Sequence, residues 1–453
     1  MITRLEAIRY RCFERLGINL GQFQIVVGAN GAGKSTLLDI PVLLGELLKA
    51  DHLATVFTVQ RGENPPRAGN PQDLIFAGRG NDFSLALEAQ LPEIVREKLA
   101  GSLVARATHA KQKSKAGRLL ALIDAAWPTH IRYELRLEVF NEREINVKNE
   151  YLYVFPEKYA PDRASGGLHG EQHRGQAHWH FILLREYDGL VEFTTEADPI
   201  QGSATKKETI RIKSNLLALS AMKYRPDVYP AASWLYEHLT EQTIFLDPNW
   251  NLMRCASPPG QPKTLIPSGR NIPWLALDLK QQDAPEDARA DYRSENYADW
   301  VAHVKTALPQ ITDIDIRVRE DDHHAYFIVT YLGGYKVPLS GLSDGTLRIL
   351  TLTLLPSLRR PPSILMTEEP EDGIHPRAIE AVLQSLSSLY DSQVLISSHS
   401  PVVLAKSRLD QILCARQEKN RGVILVAGID HPRLQEWRGE IDLGSLFAAG
   451  VLG

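Results

Sequence analysis

Two rhythms of apolar and polar positions run through this chain. Residues 2–11 alternate loosely, and Phe23-Gln24-Ile25-Val26-Val27 is a short, largely β-branched run that stops at Gly28. Apolar positions then recur at helical spacing from Lys34 through Asp39, so the opening predicts strand, glycine-rich loop and helix. Residues 51–83, rich in Gly, Pro, Asn and Arg, predict a loop. Helical character over 91–127 is interrupted by the basic, apolar-poor stretch 106–118. Residues 130–213 turn β-like: 131–139 alternates strictly, and 151–155, 179–184 and 209–213 add short runs. A more helical, proline-punctuated stretch leads to about residue 308, followed by alternating segments at 314–319 and 325–331 and by Val337-Pro338-Leu339.

The end of the chain is denser. A helical run over 346–358 is broken by Pro361-Pro362. An apolar strand at 364–366, a helix at 376–390 and a strand at 394–396 follow. Strands alternating with helices predict a parallel sheet with crossover helices, and the β-rich middle adds a mixed part, so the fold class is α/β. No repeat and no sustained heptads occur, which excludes a long coiled-coil arm.

Gly28-Ala29-Asn30-Gly31-Ala32-Gly33-Lys34-Ser35 fits the phosphate-binding pattern G-x-x-x-x-G-K-[ST] without departure. Its glycines let successive N–H groups turn toward phosphates, and the helix that follows favours negative charge at its N-terminus. Lys34 is expected to reach the β- and γ-phosphates of ATP, and the Ser35 hydroxyl to hold Mg²⁺. Gly28, Gly31, Gly33 and Thr36 complete the candidate nucleotide loop. Such a loop needs an acidic strand end, and Ser363-Ile364-Leu365-Met366-Thr367-Glu368-Glu369-Pro370 supplies one. Neighbouring residues on an ending strand diverge, so Glu368 is assigned to the metal and Glu369 to the attacking water. P-loop ATPases usually place Asp at the metal position, and Glu368 is one methylene longer.

Leu342-Ser343-Asp344-Gly345-Thr346-Leu347-Arg348 precedes a helix, and a Ser-x-Gly turn there is a second phosphate-binding device. A plain helix cap explains Ser343 equally well on local grounds; its order in the chain, between Lys34 and Glu368, adds the specificity. Ser397-Ser398-His399-Ser400-Pro401 ends the next strand and offers His399 as a γ-phosphate sensor.

Composition narrows the partners. The 453 residues carry a net charge of −4, so any DNA contact must come from a local patch, of which 106–118 is the candidate. Cys12, Cys255 and Cys414 are scattered and form neither a CxxC pair nor a disulfide framework. No apolar run approaches the ~18 residues of a membrane span, and the first residues lack a signal-peptide pattern, so a cytoplasmic protein with no membrane partner is expected. His169, His173, His178 and His180 cluster without a completing Cys or carboxylate, which reads as a solvated polar loop, not a zinc site.

The Walker A loop, LSDGTLR, EEPEDGIHP and SSHSP occur in the order of RecF/SMC-like, ABC-type ATPases, and the chain resembles the compact bacterial AAA or OLD-like branch. The resemblance covers roughly 1–45 and 335–405, and Tyr10-Arg11 before a Phe resembles that group's N-terminal element. It implies an ATPase head in two lobes, 1–90 and 335–453, with 91–334 as a β-rich and helical insertion. It further implies that Arg11 touches the base or ribose and that Asn30 reaches the γ-phosphate. Ser343 and Gly345 would reach the γ-phosphate of a second copy, closing a homodimer, with His399 as switch histidine. His375 fits the family pattern without a chemical role, and Gln60 is the nearest candidate for a glutamine loop. Only 54 residues follow His399, so no appended Toprim nuclease is expected and the effector is a separately encoded partner, such as a nuclease. DNA maintenance or anti-phage defence is the implied setting. The alternatives are a nucleotide-gated scaffold with slow hydrolysis and a transporter motor subunit, the latter disfavoured because Ser343 lies 309 residues after Lys34.

Overall fold

The computed structural model describes residues 1–60, 65–99, 128–162, 168–170, 178–186, 189–196, 207–223, 225–285, 292–418, 421–434 and 442–451. The chain divides into two compact units. The first comprises Met1–Gly21, Asp39–Thr243 and Arg416–Leu425; the second comprises Gln22–Leu38, Ile244–Ala415 and Val426–Gly453. Strands are numbered along the whole chain.

The first unit is built on an antiparallel sheet. Its strands are β1 (Ile2–Tyr10), β2 (Phe13–Asn19), β4 (Asp82–Gln90), β5 (His130–Phe140), β6 (Glu144–Phe155), β7 (His180–Arg185), β8 (Leu190–Thr194) and β9 (Lys207–Arg211). They lie in the order β2-β1-β4-β5-β6-β7-β8-β9, and the start of β17 (Gly422–Ala427) pairs with β2 at Gly422 and Phe13. Strict alternation in β5 predicts one apolar and one solvated face. The apolar face is there, with Ile131, Tyr133, Leu135 and Leu137 buried, but Arg132 and Glu134 on the other face are also fully buried. Cross-strand register explains how. Arg132 stands opposite Glu88, and its guanidinium donates to Glu88 (2.8 Å), Glu6 (2.7 Å) and Glu134 (2.5 Å). Glu134 accepts further bonds from the Tyr153 hydroxyl and the N–H groups of His169 and Gly170. Buried charge is tolerated because every partner is hydrogen-bonded.

The histidine segment is therefore not the solvated loop expected of it. His169 is buried with its N–H on Glu134, His178 stacks on Tyr159 with ring centres 3.7 Å apart, and His180 lies in β7; His173 is outside the described residues. Among the described residues no group of three or more His, Cys, Asp or Glu side chains could hold a metal. The expected loop at 51–83 contains a short helix, Leu53–Thr58, and the start of β4. The basic stretch 106–118 lies outside the described residues.

The second unit holds the parallel sheet. Strands β3 (Phe23–Val27), β10 (Thr243–Leu246), β14 (Ile364–Glu368), β15 (Gln393–Ser398) and β16 (Ile412–Glu418) are ordered β10-β14-β15-β3-β16, and the pairings β14–β15, β15–β3 and β3–β16 are parallel. Their near-continuous apolar runs suit strands buried on both faces, as Ile364–Met366, Val394–Ile396 and Ile25–Val27 are. A three-stranded antiparallel sheet, β11 (Ile311–Val318), β12 (Ala325–Tyr331) and β13 (Lys336–Pro338), joins the same apolar core as the helices Ile272–Lys280, Glu295–Ala307, Asp344–Leu354 and Pro376–Ser387. Trp300 sits in that core and still satisfies its indole N–H on Thr353 Oγ1 at 3.1 Å. No described helix is long and apolar enough to cross a membrane.

Candidate nucleotide site

In open parallel sheets ligands bind beyond the carboxyl ends of the strands, and three neighbouring strands of the second unit deliver the predicted residues there. β3 runs into the glycine loop, β14 ends at Glu368, and β15 ends at Ser398, immediately before His399. Ser397 pairs with Glu368 on one side and with Val26 on the other, which places the three strand ends level.

The loop has the geometry its sequence demands. Gly31 and Gly33 take φ of +78° and +74°, while a Cβ on Gly28 would fall 2.3 Å from the carbonyl oxygen of Ala415 on β16. The helix Lys34–Lys49 then begins, and its first N–H groups have no intrahelical acceptor. Lys34 Nζ folds back over the loop, donating to Gly28 O (2.9 Å) and Ala29 O (3.1 Å). Burial pulls its ammonium below the ordinary lysine range, and the negative charges of Glu369 and Glu368 oppose that shift. Asn30, Gly31 and Ser35 are exposed on the loop, and Thr36 is half-buried behind them. Glycines with free first-turn amides, a lysine and an exposed hydroxyl form a donor set that fits a magnesium–nucleotide phosphate chain. Ser35 and Glu368 are the oxygens on offer to the metal.

The two carboxylates differ as expected of an ending strand. Glu368 is the last strand residue and is exposed, whereas Glu369 turns to φ +44°, a left-handed conformation that costs a β-substituted residue roughly 1–3 kcal/mol. Four bonds hold it there. Its N–H donates to Ser397 O (2.9 Å), its carbonyl accepts from Arg348 Nη1 (3.0 Å) and from Asp372 N (3.0 Å), and its Oε1 lies 2.8 Å from His399 Nδ1. Glu371 and Ser398 were not anticipated. The Ser398 hydroxyl donates to Glu371 Oε1 (2.5 Å) and accepts from the N–H of Ser400 (3.0 Å), tying the acidic loop to the His399 loop. Burial pushes the Glu371 carboxyl up, and its Oε2 has no hydrogen-bond partner among the described residues.

Ser343 caps the helix Asp344–Leu354, accepting from Thr346 N at 3.2 Å, as the plain helix cap expected on local grounds does. It remains exposed. Gly345 has a packing reason: a Cβ there would meet the carbonyl oxygen of Gly373 at 2.4 Å. His375 acquires a role as the cap of the helix Pro376–Ser387, its Nδ1 accepting from Arg377 N. Arg11 and Gln60 belong to the first unit; Arg11 occupies the β1–β2 turn at φ +50°, with its N–H on Leu74 O. Arg254 also escaped notice: it bonds Leu342 O (3.3 Å) and Asp344 (2.6 Å). A basic residue far upstream carried no local signal of either contact.

Residues 256–405 match the protein family described as "AAA domain, putative AbiEii toxin, Type IV TA system". The matched segment contains the Ser343 turn, both carboxylates and His399. The motifs and this match support a P-loop ATPase that binds and hydrolyses ATP. Comparison with curated proteins found no match. Among solved structures, the chain is similar to an SMC head bound to the C-winged helix domain of ScpA, at 11% identity and TM-score 0.48, covering 94% of this chain and 97% of that one. It is also similar to an SMC head with an extended coiled coil bound to the C-terminal domain of ScpA from Pyrococcus furiosus (11% identity, TM-score 0.43, covering 94% and 95%). A third is the SMC head domain from Thermotoga maritima (11% identity, TM-score 0.38, covering 94% and 98%).

Proposed function

We propose that the chain is an ATPase of the ABC type whose hydrolytic sites are completed between two copies. Lys34, Ser35 and the loop amides hold the ATP phosphates, Ser35 and Glu368 serve Mg²⁺, and Glu369 orients the attacking water. His399 and Asn30 read the γ-phosphate. Ser343 and Gly345 reach the nucleotide of the second copy. The observation that carries this reading is the convergence of Lys34, Glu369 and His399 at the ends of three parallel strands, with His399 on the carboxylate itself. Exposure of Ser343 at a helix N-terminus supports the shared site.

Closing and reopening of the dimer would switch contacts to DNA or to a separately encoded effector, in the setting of DNA maintenance or defence. The matched family's description, which names a toxin–antitoxin system, supports the defence setting. The deciding experiment measures ATP turnover and oligomeric mass together. Wild type should hydrolyse ATP, and Glu369→Gln should bind ATP and remain dimeric. A monomer with full turnover would overturn the shared site.

A further inference from the structure

Arg348 has no part in the reading above, yet it makes contacts that a solvated arginine would not. One guanidinium nitrogen bonds the backbone carbonyl of Glu369 at 3.0 Å, another reaches Asp372 at 3.1 Å, and the planar group lies over the Trp250 ring with 4.8 Å to its centre. The held carbonyl belongs to the left-handed residue, so the bond acts on the peptide whose orientation sets the direction of the Glu369 side chain. Arg348 lies one helical turn after Gly345, whose missing Cβ lets the same helix touch Gly373 on the acidic loop. Trp250 and Arg254 join the arrangement, the ring of the one lying against the Arg348 guanidinium and the other bonded to Leu342 and Asp344.

We propose that Arg348 is the positioning residue for Glu369, and that it ties the orientation of this carboxylate to the helix capped by Ser343. Resting on the proposed function, this gives each copy a route from the turn that meets its neighbour's nucleotide to its own hydrolytic carboxylate. Arg348 acts through Glu369, whose carbonyl it holds. A rigid, planar fork stacked on Trp250 suits this task better than a flexible ammonium.

The test compares wild type, Arg348→Ala, Arg348→Lys and Trp250→Leu in the full chain, with ATP affinity, KM, kcat and thermal midpoint measured for each. Arg348→Ala should lower kcat roughly tenfold to a hundredfold, the scale of one charge-assisted hydrogen bond, and leave ATP affinity unchanged. Arg348→Lys, which keeps a donor, should recover part of the loss. In single-turnover assays Arg348→Ala should add nothing to Glu369→Gln, because both remove one function. If Arg348→Ala does not fold, Trp250→Leu carries the test, with an expected loss in kcat of roughly twofold to fivefold. Unchanged kcat, losses that multiply in the double variant, or affinity falling in step with kcat would overturn the inference while the ATPase reading stands. A wild type without ATP turnover would overturn both.

Discussion

His399 Nδ1 stands 2.8 Å from Glu369 Oε1, joining the loop after one parallel strand to the carboxylate that ends its neighbour. A histidine in this position can hold the carboxylate toward water while its other ring nitrogen faces a phosphate. Glu369→Gln keeps the shape and loses the charge, so ATP should stay bound while kcat falls at least a hundredfold, the scale of a lost general base. His399→Ala should cost less, because the backbone bonds from Glu369 to Ser397 and Arg348 survive. Steady-state turnover and filter-bound ATP separate the two effects. A histidine variant as slow as Glu369→Gln would mean that the two act as one unit and that the backbone bonds alone do not keep Glu369 working.

Lys34→Ala should abolish ATP binding, since the loop loses its point charge on the phosphates. Tight binding by that variant would contradict the assignment. Ser343→Asp offers the sharper test of a shared site, because aspartate keeps the helix cap that arginine or alanine would lose at about 1 kcal/mol. Its charge should repel the neighbour's γ-phosphate and stop turnover while ATP binding to a single subunit persists. Mixing it with Lys34→Ala should restore part of the activity, as one composite site of the mixed dimer is intact. No recovery at any mixing ratio would argue that each copy works alone.

At Gly345, function and packing make separable demands. Alanine would drive a Cβ to 2.4 Å from the carbonyl oxygen of Gly373, a backbone atom with little room to yield. Gly345→Ala should therefore lower stability by about 1–3 kcal/mol and reduce turnover through displacement of the acidic loop. Gly31→Ala provides the contrast. Nothing lies within 4 Å of a Cβ there, but φ is +78°, so the cost falls on the loop's conformation and on ATP affinity. Urea midpoints and ATP titrations on both variants check the division.

Whether a feature could be read from the sequence followed how local its cause is. The strand before Gly28, the helix after Lys34 and the carboxylates after Met366 are each specified within ten residues, and the structure places them as expected. Ser343 was legible as a helix cap because the cap depends on one hydroxyl at a helix start. Trp250 and Arg348 lie 98 residues apart, and no local pattern announces their stacking. The burial of Arg132 and Glu134 has a related cause. Alternation marks which side chains share a face, but whether that face meets water depends on Glu6 and Glu88, carried by other strands.

Glu196 supplies a test of the first unit that is independent of nucleotide. Its carboxylate is fully buried and accepts the N–H groups of Ala231 (2.6 Å) and Ala232 (2.9 Å) at the start of the helix Pro230–Thr240. Burial outweighs those bonds and pushes the carboxyl up to about 8. The unfolded chain would lose this proton near pH 4.5, the ordinary value. Between those limits the folded state holds more protons than the unfolded state, so stability is full below the window and falls as pH rises through it. The slope is about 1.4 kcal/mol per pH unit for one group, discounted for relaxation around the buried charge. Glu196→Gln cannot ionise. It keeps one acceptor for the two amides and pays a fixed cost at every pH, so the informative quantity is the slope, not the absolute stability. Unfolding midpoints from pH 5 to 9 should fall less steeply for Glu196→Gln than for wild type, with the gap opening toward pH 8. Parallel curves would show that Glu196 is ionised throughout and that its two backbone bonds outweigh burial.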